Sequence, residues 1–165
     1  PKSGNTVMLA FDHGYIMGAT AGLERMDVTI APLCRYADVL MATRGAIRSC
    51  IPPTVHNAIC LRATHDASVL IDDMSTGNGV GADMEAAIRM NASAVAIQCF
   101  IGGAGEARSL ETLCRAVDAG ERYGIPVLGV TAVGGSLEKA IETAYAACKP
   151  IAFQDMHFRT DIGKV

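Results

Sequence analysis

Polar and charged side chains follow five short apolar runs in this sequence of 165 residues. Asp12 and His13 come directly after the first run, and Arg62 follows the third. The full set consists of Asp12, His13, Thr43, Arg44, Arg62, Gln98 and Thr131. A carboxylate or an imidazole can exchange protons with a substrate, and a guanidinium presents a fork of donors to a phosphate or carboxylate. The set is therefore suited to acid–base chemistry on an anionic small molecule.

Asp12 is the strongest single candidate, as a general base or as the group that orients a neighbouring lysine or water. Its alternative role is a turn or a helix cap before Gly14. His13 could relay protons or bind phosphate, although a lone histidine is more often structural. Arg44 and Arg62 are candidates for binding substrate, or they pair with nearby acidic residues.

Gln98 lies among apolar neighbours in the fourth run, so its amide needs a hydrogen-bond partner. A substrate hydroxyl or a neighbouring side chain would supply that partner. Thr131 follows the fifth run and completes the candidate substrate-binding set.

We expect no metal ion and no resident cofactor. His56, His65 and Asp66 match no zinc-ligand spacing, and neither Cys50 nor Cys99 has a histidine base at a useful spacing. The six cysteines form no Cys-x-x-Cys pair. That usage is typical of buried, reduced cysteines in a cytoplasmic protein.

Composition excludes several classes of protein. Half of the residues are hydrophobic and 19% are charged, so the chain has enough apolar material for a core and does not resemble a disordered segment. The net charge of −3 provides no basic surface for nucleic acid or anionic lipid, and no run reaches the ~18–20 apolar residues of a membrane helix. We expect one globular domain with a small-molecule partner.

The apolar runs predict buried strands at 7–11, 38–42, 58–61, 94–100 and 127–130. Helical periodicity predicts helices over 23–36, 83–90 and 110–117, the last of these stopped by Gly124. The segment 64–81 is ambiguous, because 69–71 fits either a short strand or a helical turn. Strands that alternate with helices indicate parallel βαβ units, in which polar residues at the carboxyl ends of the strands gather at one edge.

Two α/β architectures fit this alternation. An open, doubly wound sheet would be complete at this length, whereas a (β/α)₈ barrel needs about 250 residues. The glycines at 102–105 lack the spacing of a dinucleotide-binding loop. Pattern alone leaves both architectures open.

The sequence changes character after Gly134, which divides the chain into 1–134 and 135–165. Ser136 is a good N-cap for a helix that ends at Pro150. The stretch 151–153 fits a short strand, and 154–165 has no clear period.

Several stretches resemble one enzyme family, and together they are specific. They are 6–14 (TVMLAFDHG), 22–25 (GLER), 37–45 (ADVLMATRG), Arg48-Ser49, Pro52-Pro53, 88–91 (IRMN), Ile101-Gly102 and 130–134 (VTAVG). The sequence over about 1–134 resembles the archaeal-type class I fructose-bisphosphate aldolase family.

The resemblance implies a TIM (β/α)₈ barrel, of which this chain would hold about five to six βα units and 1–134 the first five. It implies a phosphorylated keto sugar or dione as substrate, a lysine Schiff base at the end of the sixth strand, and Asp12 in proton transfer. Two reactions belong to the family: retro-aldol cleavage, and thiolysis with coenzyme A as co-substrate. Relatives form homo-oligomers, which leaves the assembly of this chain open.

The sequence departs from the family pattern after Gly134. The family has a Lys-Thr-Tyr motif at the sixth strand, and its nearest counterpart here is Phe158-Arg159-Thr160. An arginine stays protonated and cannot form an imine. Lys149 and Lys164 lie in no matching motif, and no acid–base tyrosine follows the fifth strand. A catalytically inactive module that binds phosphosugars or another partner therefore remains the alternative.

Overall fold

Five parallel strands form the sheet that carries the strand-end residues. The computed structural model describes residues 4–133 except 19, 69 and 72. The strands of this sheet are β1 (Met8–Ala10), β2 (Val39–Thr43), β3 (Ala58–Arg62), β6 (Ala94–Ile101) and β7 (Val127–Val133). A small antiparallel pair, β4 (Thr64–His65) and β5 (Gly79–Val80), follows β3.

Helices connect the strands. They are α1 (Gly14–Met17), α2 (Met26–Thr29), α3 (Arg44–Cys50), α4 (Met84–Arg89) and α5 (Glu106–Tyr123), with 3₁₀ turns at Ala31–Tyr36 and Met74–Gly77. In the part of the chain that the structure describes, no helix is long and apolar enough to cross a membrane.

The strand order decides between the two architectures. The strands lie in the order β1-β2-β3-β6-β7, which is their order along the chain, and each neighbouring pair is parallel. A doubly wound sheet requires a reversal of strand order at its switch point, and none occurs among these five strands. In a (β/α)₈ barrel each new strand pairs with the strand before it, always at the same edge of the sheet. The described residues therefore form five strands of a half-barrel.

The helices pack on one face of the sheet, over two apolar clusters. Phe11, Leu40 and Ala42 belong to the cluster covered by the segments around α2 and α3. Leu61, Val95 and Ile97 belong to the cluster that includes residues of α4 and α5. Since side chains alternate along a strand, the residues between these positions, including Cys60, Arg62 and Gln98, lie on the opposite face, which is the interior side of a barrel.

The structure differs from the sequence-based elements in three places. The helix predicted over 23–36 is a turn, α2 and a 3₁₀ turn, because Pro32 lies at the start of the 3₁₀ segment and cannot donate a backbone hydrogen bond within a continuous helix. Helix α3 and the β4–β5 pair were not predicted. The helix and strand predicted within 135–165, together with Lys149 and Arg159, lie outside the described residues.

Candidate active site

Arg62, the last residue of β3, is the centre of the candidate site. Its side chain is 4% exposed. One terminal nitrogen, Nη1, donates to Asp12 Oδ2 at 3.1 Å. The other, Nη2, donates to Asp66 Oδ2 at 2.9 Å and to Gln98 Oε1 at 2.8 Å. The guanidinium thus connects the end of β3 to the residues after β1, to the middle of β6 and to the segment that follows β3.

The β4–β5 pair brings two further side chains to this cluster. Asp66 follows β4, and its Oδ1 accepts from Asn78 Nδ2 at 2.8 Å. The same Asn78 amide donates to the backbone carbonyl oxygen of Gln98 at 3.1 Å. Thr64 in β4 also accepts, through Oγ1, from the Gln98 backbone N–H at 3.0 Å. These bonds fix the Arg62 cluster, which we define as Asp12, Arg62, Asp66, Asn78 and Gln98.

Tyr15 lies against the cluster from α1. Its hydroxyl donates to Asp66 Oδ2 at 2.6 Å, and the Arg62 guanidinium carbon lies 5.3 Å from the centre of its ring. Burial, followed by the hydrogen bond to Asp66, raises the pKa of Tyr15 well above its ordinary value of 10.0. At neutral pH the hydroxyl therefore holds its proton and serves as a donor.

The cluster holds two carboxylates and only one guanidinium, so its charge does not attract an anionic ligand. Neighbouring Cys60 reflects this environment, because burial and the nearby Asp12 raise the pKa of its thiol to about 11. A second anion such as phosphate gains nothing from a guanidinium already bonded to two carboxylates. Arg62 therefore holds Asp12 and Asp66 in place better than it would hold a phosphate.

Two buried polar atoms of the cluster have no hydrogen-bond partner among the described residues. They are Arg62 Nε, a donor, and Asn78 Oδ1, an acceptor. Buried polar atoms are nearly always bonded to protein, water or ligand. They mark positions at which a water or a substrate hydroxyl would be bound.

Three of the predicted site residues meet in this cluster: Asp12, Arg62 and Gln98. His13 is exposed and makes no side-chain cap at the start of α1. Thr43 caps α3, because its Oγ1 accepts from the Ala46 backbone N–H at 3.3 Å. Arg44 is the exposed first residue of that helix and remains a cation available to a ligand.

Thr131 is not brought to the cluster. In the β6–β7 register it lies beside Cys99, whereas Val130 lies beside Gln98. The Cys99 thiol faces Ser109 of α5, so Thr131 belongs to the helix-covered face. The predicted strand ends at residue 130, whereas β7 continues to Val133, so Thr131 lies within the strand, where an offset of one residue reverses the face.

Tyr15, Asp66 and Asn78 were not among the predicted site residues. Tyr15 could have been found, because it stands three residues after Asp12, in the helix α1 that begins directly after the end of β1. Asp66 was considered only as a metal ligand, and the four-residue spacing from Arg62 was its available signal. No group of three or more His, Cys, Asp or Glu side chains is placed to hold a metal within the described segments.

The side chains of the site can form hydrogen bonds to a ligand and exchange protons with it, but the described residues contain no lysine amine that could act as a nucleophile. The lysines of the sequence are Lys2, Lys139, Lys149 and Lys164, and none of these four lies in the described ranges. The described half-barrel thus provides carboxylates, amides and a phenol at the barrel mouth.

Comparison with known proteins identifies close relatives over most of the chain. A 3-hydroxy-5-phosphonooxypentane-2,4-dione thiolase of Escherichia coli O139:H28 is 48% identical over 134 residues, which are 81% of this chain and 45% of the relative. An uncharacterized aldolase of Pasteurella multocida is 46% identical over 139 residues, 84% of this chain and 47% of the relative. The chain spans about half the length of the curated relatives it matches.

Solved structures agree on the fold. Two crystal structures of archaeal fructose 1,6-bisphosphate aldolase, one with its catalytic lysine covalently bound to the carbinolamine intermediate, have TM-scores of 0.68 at 20% identity. They align with 90% of this chain, which covers 62% of each of theirs. The half-barrel is therefore part of a TIM barrel of the class I aldolase type.

A family model gives a different result for the second half of the chain. The model described as phosphoribosylglycinamide synthetase, C domain, matches residues 81–165. A match of 134 residues in a chain of 165 leaves only 31 outside it, so both similarities include 81–134. In the described structure, β6 and β7 of this shared region pair in parallel with the rest of the half-barrel. Up to residue 133 the fold is that of the aldolases.

Proposed function

The chain belongs to the archaeal-type class I fructose-bisphosphate aldolase family and, through residues 81–165, to the family of the phosphoribosylglycinamide synthetase C domain. We propose that its half-barrel binds phosphorylated keto compounds and transfers protons to and from them. The observation that carries this proposal is the Arg62 cluster. It brings Asp12, which follows β1, and Gln98, which lies within β6, to one guanidinium at the interior side of the half-barrel.

Each residue has a distinct role in this proposal. Asp12 is the proton-transfer group, and Arg62 and Asp66 are positioning residues that hold it and Tyr15. The Gln98 amide is the hydrogen-bond partner for a substrate hydroxyl or carbonyl. Arg44, which is exposed at the start of α3, is the cation for the phosphate, because a guanidinium binds phosphate through paired donors.

The reaction we propose for the active site to which this half-barrel corresponds is thiolysis of a phosphorylated dione. A lysine amine condenses with a substrate carbonyl and releases water, and the protonated imine then accepts the electron pair of the broken carbon–carbon bond. The sulfur of coenzyme A bonds to the acetyl carbonyl carbon, its proton passes to a base such as Asp12, and the acetyl group leaves as a thioester when the carbon–carbon bond breaks. The names of the curated relatives support thiolysis over retro-aldol cleavage, and retro-aldol cleavage is the alternative within the same family.

We further propose that this chain does not itself provide the imine-forming lysine. Arg159 occupies the nearest equivalent of the family's lysine motif, and the match of 81–165 to a different family supports a departure from the aldolase pattern there. On this account the isolated chain binds phosphorylated keto compounds without cleaving them. A module that only binds phosphosugars is thus the second candidate function.

The experiment that tests the proposed function is a titration of the full chain with dihydroxyacetone phosphate, followed by nuclear magnetic resonance. We expect saturable binding that Arg44→Ala weakens about tenfold, the worth of a charge-assisted hydrogen bond. Arg48→Ala is the matched control, because Arg48 is exposed on the same helix but lies in its last turn. Equal affinities in the two variants, or no binding by the parent chain, would contradict the proposal.

A further inference from the structure

A cavity opens beside Asp12 and Tyr15. It has a volume of about 350 Å³ and lies between the end of β1, the segments around α1 and α2, and the start of α3. Phe11, Leu23, Met26 and Ala46 provide much of its apolar lining, and Asp12 and Thr43 are polar residues in it. We call it the α1–α3 cavity.

The charges that line this cavity exclude an anionic ligand. Asp12 and Glu24 both line it, and no lysine, arginine or histidine does so in the described part of the chain. A phosphate placed here would meet two carboxylates in a largely apolar enclosure, where repulsion is stronger than in water. The phosphorylated substrate therefore does not bind with its phosphate in this cavity.

The polar atoms that line the cavity favour a ligand that donates a hydrogen bond. Asp12 uses Oδ2 for Arg62, and the described residues provide no partner for its Oδ1. The Thr43 hydroxyl oxygen is a second acceptor, shared with the Ala46 backbone N–H. An apolar group that ends in a weak donor matches this lining, and a thiol is such a group because it loses little hydration on burial.

We propose that the α1–α3 cavity binds the thiol arm of the acceptor substrate, a neutral amide chain of the pantetheine type, with its S–H directed at Asp12 Oδ1. This inference rests on the proposed function, since it places the second substrate of a thiolysis. It gives Asp12 one oxygen for Arg62 and the other for the incoming thiol. The acceptor and the phosphorylated donor thus approach Asp12 from different sides.

The test uses the full chain labelled with ¹³C at its methionine methyl groups and titrated with pantetheine. The Met26 signal, identified through Met26→Leu, should shift on addition of pantetheine and should not shift with dihydroxyacetone phosphate. Panthenol, which lacks the thiol-bearing end, should bind about tenfold more weakly, corresponding to one hydrogen bond to a charged group.

A blocking variant distinguishes this cavity from other thiol-binding surfaces. Thr20 lines the cavity, and Thr20→Tyr should weaken pantetheine binding at least about tenfold with dihydroxyacetone phosphate affinity unchanged. Thr54→Tyr makes the same change on an exposed turn outside the cavity and should have no effect. If Thr20→Tyr reduces the folded fraction, Ala46→Met provides a second way to fill the cavity.

The outcomes separate this inference from the proposed function. Binding of dihydroxyacetone phosphate without any Met26 shift by pantetheine would overturn the cavity assignment alone. Competition between the two ligands at Met26 would also overturn it. Pantetheine binding with no binding of dihydroxyacetone phosphate would support the cavity and contradict the proposed function.

Discussion

Arg62 neutralises buried negative charge that would otherwise oppose folding. Its removal leaves Asp12 and Asp66 without their cationic partner, and Asp66 has a side chain that is 0% exposed. Breaking a buried ion pair in this way costs about 3–5 kcal/mol. We therefore expect Arg62→Met to lower the free energy of unfolding by about that amount, measured by urea denaturation.

The matched control for Arg62 is an exposed arginine–carboxylate ion pair that has the same four-residue spacing as Arg62 and Asp66. Arg115 donates to Glu111 on the surface of α5, with side chains 78% and 59% exposed. Arg115→Met should change stability by less than about 0.5 kcal/mol. Similar losses in the two variants would show that Arg62 is not an organising charge.

From the raised pKa of Tyr15 we predict a specific pH dependence of the free energy of unfolding. Its pKa is raised in the folded chain above the ordinary 10.0, so the folded state binds this proton more tightly than the unfolded state does. The resulting stabilisation is complete below pH 10 and is lost as the pH rises above that value. In urea unfolding, the stability difference between the parent and Tyr15→Phe should shrink as the pH rises from 8 to 11. Tyr36→Phe, at a mostly exposed position, should give a difference that does not change in this range.

Gly120 lies where helix α5 packs against the start of β7. Substitution of this glycine therefore tests the packing of the last described βα unit. A Cβ at Gly120 would lie 2.5 Å from the Ile125 carbonyl oxygen and 2.9 Å from a Val127 methyl. Gly120→Ala should therefore destabilise the protein by about 1–3 kcal/mol, as overpacking does. Gly45→Ala, in α3 with nothing within 4 Å of the new Cβ, should stabilise it by up to about 1 kcal/mol. Thermal unfolding of both variants measures this contrast, and a stabilised Gly120→Ala would contradict the packing.

The elements that the sequence predicted are those with a strong local signal. The strands β2, β3 and β6 were identified from apolar runs, and Gly124 was identified as the end of α5, where it adopts the left-handed conformation at φ +71°. The short pieces were not predicted. The two-residue strands β4 and β5 carry no periodicity, and their pairing depends on contacts between residues distant in sequence.

The candidate site was partly predictable for the same reason. Asp12 and Arg62 were identified because each follows or ends an apolar strand, and Gln98 was identified because its amide lies among the apolar residues of β6. Asn78 could not be identified, since only the β4–β5 pair brings it to Asp66 and Gln98. Thr131 lies within β7 on the face of Cys99, because the apolar run that predicted the strand stops at residue 130 whereas the strand continues to Val133.

The cysteines report on the integrity of the whole half-barrel. Cys60 lies beneath Arg62 with its pKa raised to about 11 by burial and Asp12, and burial also raises the pKa of Cys34 and Cys99. Cys114 is exposed on α5. At pH 8, iodoacetamide should alkylate exposed Cys114 much faster than Cys60, because Cys60 is buried and its raised pKa leaves little of the reactive thiolate.

Peptide mapping after timed alkylation measures these rates, and the chain in urea serves as the control in which every cysteine should react. Rapid native alkylation of Cys60 would contradict a closed interior layer beneath the Arg62 cluster.

At the scale of the whole chain, two family similarities meet in one sequence. The described half-barrel carries the aldolase-type fold, and residues 81–165 match the phosphoribosylglycinamide synthetase C domain. The chain also spans less than half of the thiolase it resembles. We therefore propose a division of function. The half-barrel binds phosphorylated keto compounds and exchanges protons with them, and no lysine of this chain forms the imine.

The most direct test of this claim is intact-mass spectrometry after borohydride reduction in the presence of dihydroxyacetone phosphate. Reduction converts any imine into a stable amine; because water leaves and two hydrogens are added, each reactive lysine gains the mass of one ligand less one oxygen atom. We predict an unmodified mass from folded chain that binds the compound. A covalent adduct that maps to any of the four lysines, Lys2, Lys139, Lys149 or Lys164, would contradict this division and would identify an imine-forming lysine within this chain.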